Sequence, residues 1–216
     1  MEATALHKRD LVILGAGGLA REAFDLATVC IDHGAPYNIK GFISDNPSNI
    51  ESLGYPPVLG RVDAYSMEKN DVFFCAIGKV HDRMKVVEKI NGKGGVFINL
   101  IHPKALISPS AKIGVGVAIK ANTSISSDCI IGNHTYFQGA VILGHDVEIG
   151  PFCQLNSFSF IAGNCKIEEL CYISAGAKIL QGVRVGASAT VGMGSVVLRN
   201  VKKGATVFGI PAKEII

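Results

Sequence analysis

The sequence predicts a two-part fold, a small Rossmann-like α/β domain followed by a parallel β-helix, and two observations lead to this prediction. Between residues 10 and 100, apolar strand-like runs alternate with helix-like segments, which is typical of a parallel sheet. After residue 104, a large apolar residue returns at every sixth position. The chain has 216 residues, of which 48% are hydrophobic, so it is long enough to build both parts.

The first domain is expected to span residues 1–102. Its first strand, Leu11 to Leu14, ends in the run Gly15-Ala16-Gly17-Gly18, and residues 19–29 then show the apolar spacing of a helix. This order indicates a strand, a glycine turn and a helix. Further elements follow the same alternation, with strands expected at 40–43, 72–77 and 96–98 and a helix at 81–90.

The second domain is expected to span residues 103–216. Its six-residue period fits neither a helix of 3.6 residues per turn nor an alternating strand, but it fits a triangular coil of three hexapeptides. A glycine often follows the large residue, which suits a tight corner. The sixteen large residues are Ile107, Ile113, Ile119, Ile125, Ile131, Phe137, Leu143, Ile149, Leu155, Ile161, Ile167, Ile173, Ile179, Val185, Val191 and Val197.

Four of the six cysteines have a structural explanation within this repeat. Two positions before each large residue the chain carries a small or β-branched residue, and Cys129, Cys153, Cys165 and Cys171 occupy that position. We therefore expect these four to be buried small side chains, not disulfides or metal ligands. A zinc site would need several converging histidines, and the sequence offers no such set, so no metal is expected.

Charge and hydropathy narrow the possible partners. The 21 basic and 18 acidic residues are spread without a basic stripe, which argues against nucleic acid. No apolar run approaches the length that spans a bilayer, and residues 1–10 are polar where a signal peptide would be apolar. We therefore expect a cytoplasmic protein that does not insert into membranes.

The glycine turn is a candidate nucleotide site. Backbone N–H groups at the start of a helix bind phosphate, and the turn lies between a strand and a helix. The dinucleotide fingerprint is incomplete, because Ala20 stands at its third glycine, so a nucleotide diphosphate is favoured and a purely structural turn is the alternative. Ser44, Asp45 and Gly78 end other strands at the same sheet edge, where ligands of such folds bind.

His145 and Asp146 are the candidate catalytic pair. They follow Gly144 at a predicted corner, and an imidazole beside a carboxylate is the minimum apparatus of a general base near neutral pH. A solvated corner histidine is the alternative. Lys213, near the C-terminal end of the repeat, is a candidate contact for a CoA phosphate.

Together these motifs resemble the sugar O-acyltransferase family associated with sialic acid, which includes the N-acetyltransferases of UDP-4-amino-sugars in bacillosamine-type pathways. The resemblance rests on the glycine turn, on the segment 41–46, on Leu100-Ile101-His102-Pro103, on Gly144-His145-Asp146 within the hexapeptide array, and on the ending at 209–213. It covers nearly the whole chain.

The resemblance implies a left-handed β-helix that forms a homotrimer, with active sites between neighbouring β-helices. It implies acetyl-CoA as co-substrate along the β-helix and a sugar nucleotide held by the first domain. It also implies roles for individual residues: His145 as general base with Asp146 beside it; Gly15, Gly17, Gly18, Ser44, Asp45 and Gly78 at the nucleotide; Gly163, Ala175, Gly192, Met193 and Gly194 at the thioester and pantetheine.

This chain departs from the family pattern at three positions. Gln154 stands where many members have a second histidine, Leu19 stands where the glycine loop often has a histidine, and Gln138 replaces a common asparagine. Gln154 is therefore expected at the acceptor sugar. The leading hypothesis is direct acetyl transfer to a 4-amino-sugar, with Gly163 N–H stabilising the oxyanion. The alternatives are O-acetylation of a sugar hydroxyl and a non-catalytic trimer that binds sugar nucleotides.

Overall fold

The computed structural model describes residues 8–46 and 50–215, and the chain divides into two compact units, Met1–Leu100 and Ile101–Ile216. The first unit contains a three-stranded parallel sheet with helices, and the second contains three sheets of very short strands. Each unit follows the class that the sequence predicts.

The sheet of the first unit has the strand order β2-β1-β3. Its strands are β1 (Arg9–Leu14), β2 (Tyr37–Ile43) and β3 (Asp71–Cys75), and its helices are α1 (Gly18–Asp32) and α2 (Val80–Gly92). Residues 11–14 of β1 are fully buried, because both neighbouring strands pair with this central strand. A 3-10 turn covers Glu51–Leu53.

The expected strand at 96–98 does not form as a strand. Phe97 makes one isolated parallel bridge with Phe73, and the hydrogen bonds on either side run from Phe73 N–H to Val96 and from Ile98 N–H to Phe73. The segment is therefore a minimal extension of the sheet edge beside β3. The preceding helix ends at Gly92, and the N–H groups of Gly94 and Gly95 donate back to the Asn91 and Ile90 carbonyls.

The second unit is a parallel β-helix in which residues 18 apart are paired, as Phe137 and Leu155 are. We name its sheets by size: sheet I has the order β22-β21-β19-β16-β13-β10-β7-β4, sheet II β20-β17-β14-β11-β8-β5, and sheet III β18-β15-β12-β9-β6. The strands are β4 (Leu100–Ile101), β5 (Leu106–Ile107), β6 (Lys112–Ile113), β7 (Ala118–Ile119), β8 (Ser124–Ile125), β9 (Ile130–Ile131), β10 (Tyr136–Phe137), β11 (Ile142–Leu143), β12 (Glu148–Ile149), β13 (Gln154–Leu155), β14 (Phe160–Ile161), β15 (Lys166–Ile167), β16 (Tyr172–Ile173), β17 (Lys178–Ile179), β18 (Arg184–Val185), β19 (Thr190–Val191), β20 (Val196–Val197), β21 (Thr206–Gly209) and β22 (Ala212–Glu214).

The interior of this prism confirms the hexapeptide prediction. Each of the sixteen large residues is the second residue of one strand from β5 to β20, and from Ile119 to Val197 all are at most 3% exposed. Burying one such side chain contributes roughly 1.5–3 kcal/mol. The four predicted cysteines are buried beside them, and the thiol of Cys129, for example, donates to the Gly144 carbonyl at 3.2 Å.

The corners use glycine in a way that the sequence does not reveal. The glycines that directly follow a large residue, such as Gly144, do not have positive φ; a Cβ built there would lie 2.5 Å from the Gly163 nitrogen of the next coil. Close approach of coils therefore requires glycine. The left-handed conformation falls two residues later and is adopted by non-glycine residues such as Asn122, Asp128 and Asp146.

Candidate active site

His145 lies on the edge between sheets II and III, and the neighbouring coils fix its backbone. Asp146 N–H donates to the Ser127 carbonyl at 3.0 Å, and the His145 carbonyl accepts from Asn164 N–H at 2.9 Å. Asp146 adopts φ 57, a conformation that aspartate tolerates better than most residues. The His145 and Asp146 side chains therefore project outward from a backbone that is hydrogen-bonded to the coils on both sides.

The imidazole and the carboxylate are hydrogen-bonded to each other. His145 Nδ1 lies 2.7 Å from Asp146 Oδ2, and the two side chains are 58% and 55% exposed. A carboxylate beside Nδ1 favours the tautomer with a proton on Nδ1, so Nε2 keeps its lone pair for an incoming proton. The two residues that the sequence pairs are therefore hydrogen-bonded, and the role of His145 as general base stays a prediction.

Gly163 lies one coil after His145, directly against its imidazole. A Cβ built on Gly163 would meet His145 Nε2 at 2.8 Å and Cε1 at 2.9 Å, so only glycine leaves the ring in place. Among the described hydrogen bonds, Gly163 N–H donates to no protein acceptor. The predicted oxyanion donor and the predicted base are thus neighbours on the same edge.

The other residues predicted at the CoA site lie on a different edge, between sheets I and II. Gly194 N–H donates to the Ala175 carbonyl at 2.9 Å, and Gly176 and Gly194 have φ +69 and +67, so these corners stack on each other. Met193 is 67% exposed. One β-helix therefore does not bring these residues to His145. Lys213 is exposed in β22, at the C-terminal end of sheet I.

Gln154 lies in β13 with its side chain on the outer face of sheet I. It is only 3% exposed, and its amide nitrogen lies 3.4 Å from Asn156 Oδ1. A contact between Gln154 and an acceptor sugar stays a prediction.

In the first unit, the predicted nucleotide-binding residues surround one cavity of about 730 Å³. Gly15, with φ +108, lies where a Cβ would be 3.0 Å from the Ala76 carbonyl oxygen, and its N–H donates to Ile43 at 2.8 Å. The end of β1 thus lies close to the ends of both neighbouring strands, and these strand ends line the cavity. The lining includes all six predicted residues, Gly15, Gly17, Gly18, Ser44, Asp45 and Gly78, and Leu19 beside them.

The cavity also has a charged wall that sequence reasoning missed. That wall consists of Lys79 and of one face of α2, with Asp82, Lys85 and Lys89. Lys85 and Lys89 follow Asp82 by three and seven residues, a spacing that would have placed these side chains on one helical face. Nothing in the sequence says that this face borders the ends of the strands.

Two further observations concern metals and membranes. Within residues 8–46 and 50–215, no three His, Cys, Asp or Glu side chains come together as metal ligands would. In the same residues, no helix has the length and apolar character needed to cross a bilayer.

Known proteins match the chain along nearly its whole length. The GDP-perosamine N-acetyltransferase of Escherichia coli O157:H7 is 30% identical over 210 residues, which is 94% of this chain and 95% of that protein. A family model described as the PglD N-terminal domain matches residues 10–90. The chain belongs to the sugar-nucleotide acetyltransferases of the hexapeptide-repeat type.

Solved structures of this family agree with the fold. A mutant of perosamine N-acetyltransferase from Caulobacter crescentus, in complex with CoA and GDP-perosamine, superposes with a TM-score of 0.85 at 31% identity, covering 95% of this chain and 96% of that one. The acetyltransferase domain of PglB from Neisseria gonorrhoeae FA1090, in complex with acetyl coenzyme A, gives 0.86 at 28% identity over 96% and 100%. The predicted family, the acyltransferase class and the left-handed β-helix are confirmed.

Other relatives match only about half of the chain. Serine acetyltransferases of Buchnera aphidicola and Bacillus licheniformis are 37% and 36% identical to about half of this chain, and the match spans 37% and 47% of their own length. The two-unit organisation is thus shared with the sugar-nucleotide acetyltransferases, and the serine acetyltransferases match through a single region.

Proposed function

We propose that the protein transfers an acetyl group from acetyl-CoA to the amino group of a nucleotide-linked 4-amino-sugar. The observation that carries this proposal is the corner at which His145 Nδ1 is paired with Asp146 and Nε2 faces Gly163. Relatives that match the whole chain support the substrate class, since their names or complexes include perosamine N-acetyltransferase, CoA and GDP-perosamine.

The reaction is direct transfer. The sugar amine attacks the thioester carbonyl while His145 Nε2 accepts the proton that the nitrogen loses. Gly163 N–H donates to the carbonyl oxygen as it becomes negative. The tetrahedral intermediate then collapses with cleavage of the C–S bond, and the imidazolium returns its proton to the CoA thiolate. Asp146 holds the ring and stabilises its cation between the two proton transfers.

The functional unit is a homotrimer with each active site between two β-helices. This explains why the predicted CoA contacts Ala175 and Met193 lie on one edge and His145 on another: a neighbouring copy supplies the second edge. Sheet II provides an apolar surface beside the His145 edge for such a contact. Its outward residues Leu106, Ile142 and Phe160 are 71%, 45% and 42% exposed in the single chain.

The cavity of the first unit holds the sugar nucleotide, and the protein works in the cytoplasm. None of the six cysteines, all of which lie in the described residues, forms a disulfide, which fits a reducing compartment. The domain boundary that we propose, at residues 102 and 103, falls two residues after the division between the compact units.

The test is release of CoA thiol from acetyl-CoA with GDP-, UDP- and dTDP-linked 4-amino-sugars. One acceptor should support turnover, and His145→Ala should lower kcat by roughly 10²- to 10⁴-fold. His33→Ala is the matched control, because His33 is exposed at the end of α1 and bonds only to its own helix, at the Val29 carbonyl. Full activity of His145→Ala would refute the mechanism, and turnover only with the 4-hydroxy analogues would point to O-acetylation.

A further inference from the structure

One face of α2 forms a charged wall of the nucleotide cavity. Asp82, Lys85 and Lys89 lie three and four residues apart in the helix, and all three line the cavity. Lys79, which precedes the first turn of α2, lines it as well. The cavity therefore has three lysines, and the structure distinguishes them by their partners.

Lys89 is engaged with the protein itself. Its Nζ lies 2.9 Å from Asp63 Oδ1, and this contact holds the pKa of the Asp63 carboxyl below its usual range. Asp45 is engaged in a similar way, since its Oδ1 accepts Val62 N–H at 3.0 Å and lies 3.9 Å from Arg61 Nε. The contacts of Lys89 and of Asp45 hold the segment at 61–63 beside the cavity. Because both charges are already paired, neither side chain offers much net charge to a ligand.

Lys79 and Lys85 have no such engagement. Neither side-chain ammonium group forms an ion pair or hydrogen bond with any residue that the structure describes, and both residues are exposed. Asp82 offsets one of the two positive charges. At the glycine turn, α1 begins without a side-chain cap and without an acidic residue in its first turn, so the N–H groups of that turn add positive potential.

This distribution suits a ligand with two adjacent negative charges. The N–H groups at Gly17 and Gly18 are placed for one phosphate, as at many helix N-termini, but a second phosphate needs a separate donor. Lys85 is the unpaired cation on the helix wall, and its long flexible side chain can reach a phosphate as a point charge.

We propose that Lys85 binds the diphosphate of the sugar nucleotide across the cavity from the glycine turn, with Lys79 adding positive charge, whereas Lys89 only braces the segment at 61–63. This inference rests on the proposed function for the identity of the ligand. It assigns affinity for the diphosphate, not the chemistry of transfer, to the side chains of α2.

The experiment measures nucleotide binding by calorimetry in the absence of acetyl-CoA. GDP, UDP and dTDP are titrated into the full chain, and the tightest of them is compared with its monophosphate. Lys85→Gln should lower the affinity for the nucleoside diphosphate by about tenfold, as expected for loss of a contact to a charged group. It should lower the affinity for the monophosphate much less, so the preference for the diphosphate becomes smaller. Lys85→Arg should keep most of that preference.

Lys89→Gln is the matched control, because it removes the same charge from the same helix face. It should change diphosphate affinity by less than about threefold, since Asp63 already neutralises Lys89. Unchanged diphosphate affinity in Lys85→Gln, an equal loss for both nucleotides, a larger loss in Lys89→Gln, or no diphosphate binding by the unaltered chain would each overturn the inference. Failure of acetyl transfer with the Lys85 effect intact would instead refute the proposed function alone.

Discussion

The β-helix and the α/β unit position their candidate functional groups by different means. In the β-helix, His145 lies on an edge whose backbone is hydrogen-bonded to the coils on both sides. In the α/β unit, the cavity is bounded by loops at the ends of three strands and by one helix face. Proton transfer depends on distances of a few tenths of an ångström, whereas binding of a flexible diphosphate tolerates more movement. The rigid repeat therefore suits the chemistry, and the loop-lined cavity suits the binding.

Gly163→Ala should disturb the position of His145 on its edge of the β-helix. Among the predictions that compare the two units, it should have the largest effect on activity. The new methyl group would meet the His145 imidazole within 3 Å, so the ring must rotate away from Asp146 or from the thioester. We expect kcat to fall by about 100-fold, which corresponds to a misplaced catalytic group, while calorimetry shows unchanged nucleotide affinity. Steady-state kinetics of thiol release measures the first effect.

Gly139→Ala is its control within the same β-helix. A Cβ at Gly139 would meet only the Ala121 carbonyl oxygen, at 3.5 Å, which is ordinary contact. This variant should keep nearly full activity. If Gly163→Ala were as active as Gly139→Ala, the placement of His145 against Gly163 would be wrong for the working enzyme.

Gly15→Ala should give the opposite kinetic pattern from the α/β unit. An alanine at φ +108 is strained, and its methyl group would press on the Ala76 carbonyl at 3.0 Å, so the glycine turn must shift. We expect a rise of about tenfold in KM for the sugar nucleotide, because about 1–2 kcal/mol of strain falls on the binding loop. The kcat at saturation should change little.

Gly34→Ala separates this binding effect from backbone strain alone. Gly34 has φ +92 at the end of α1, does not line the cavity, and has no atom within 4 Å of a built Cβ. It should lower the melting temperature to a similar degree but leave KM unchanged. A rise in KM in both variants would mean that general destabilisation, not the shape of the glycine turn, controls binding.

The sequence predicted the β-helix almost residue by residue because one geometric rule repeats there. A coil of 18 residues places every sixth side chain inside, and all sixteen predicted positions are the second residues of strands. The same period places Gly163 one coil of 18 residues after His145, on the same edge. Ala175 follows His145 by thirty residues, which is not a whole number of coils, so it lies on another edge. Handedness and trimer formation came from the family resemblance, since the period contains neither.

The α/β unit was less predictable because its site depends on packing between elements. Apolar runs located the three strands, the glycine turn located three lining residues, and the rule for strand ends located three more. They could not show that Lys85 faces the cavity, because that depends on how α2 is rotated on the sheet. They also could not show that Asp45 is held by Val62, seventeen residues away.

The two units should also differ in their response to acid, which is the smallest effect that we predict. Among the residues that the structure describes, Asp71, at the start of β3, is the one carboxylate that is buried. It accepts hydrogen bonds from Lys40, from Tyr65 and from Glu68 N–H. Although burial opposes ionisation, these donors together hold the pKa of Asp71 below its ordinary value of 3.8. A lowered pKa in the folded state stabilises the fold above pH 3.8, and that stabilisation is lost as the pH falls below it.

The β-helix core, which contains large aliphatic, small apolar, hydroxyl and thiol side chains, has no buried carboxylate among the residues that the structure describes. Chemical unfolding followed at pH 7 and at pH 3 tests this difference. Asp71→Asn should lower the stability of the α/β unit at pH 7, and its deficit relative to the unaltered chain should shrink at pH 3, because below pH 3.8 the Asp71 carboxyl of the unfolded chain binds a proton. Asp63→Asn, which removes an exposed carboxylate paired with Lys89, should cost less at pH 7 because solvent screens that pair. A deficit for Asp71→Asn that is the same at both pH values would show that packing of the side chain, not its charge, stabilises this corner of the sheet.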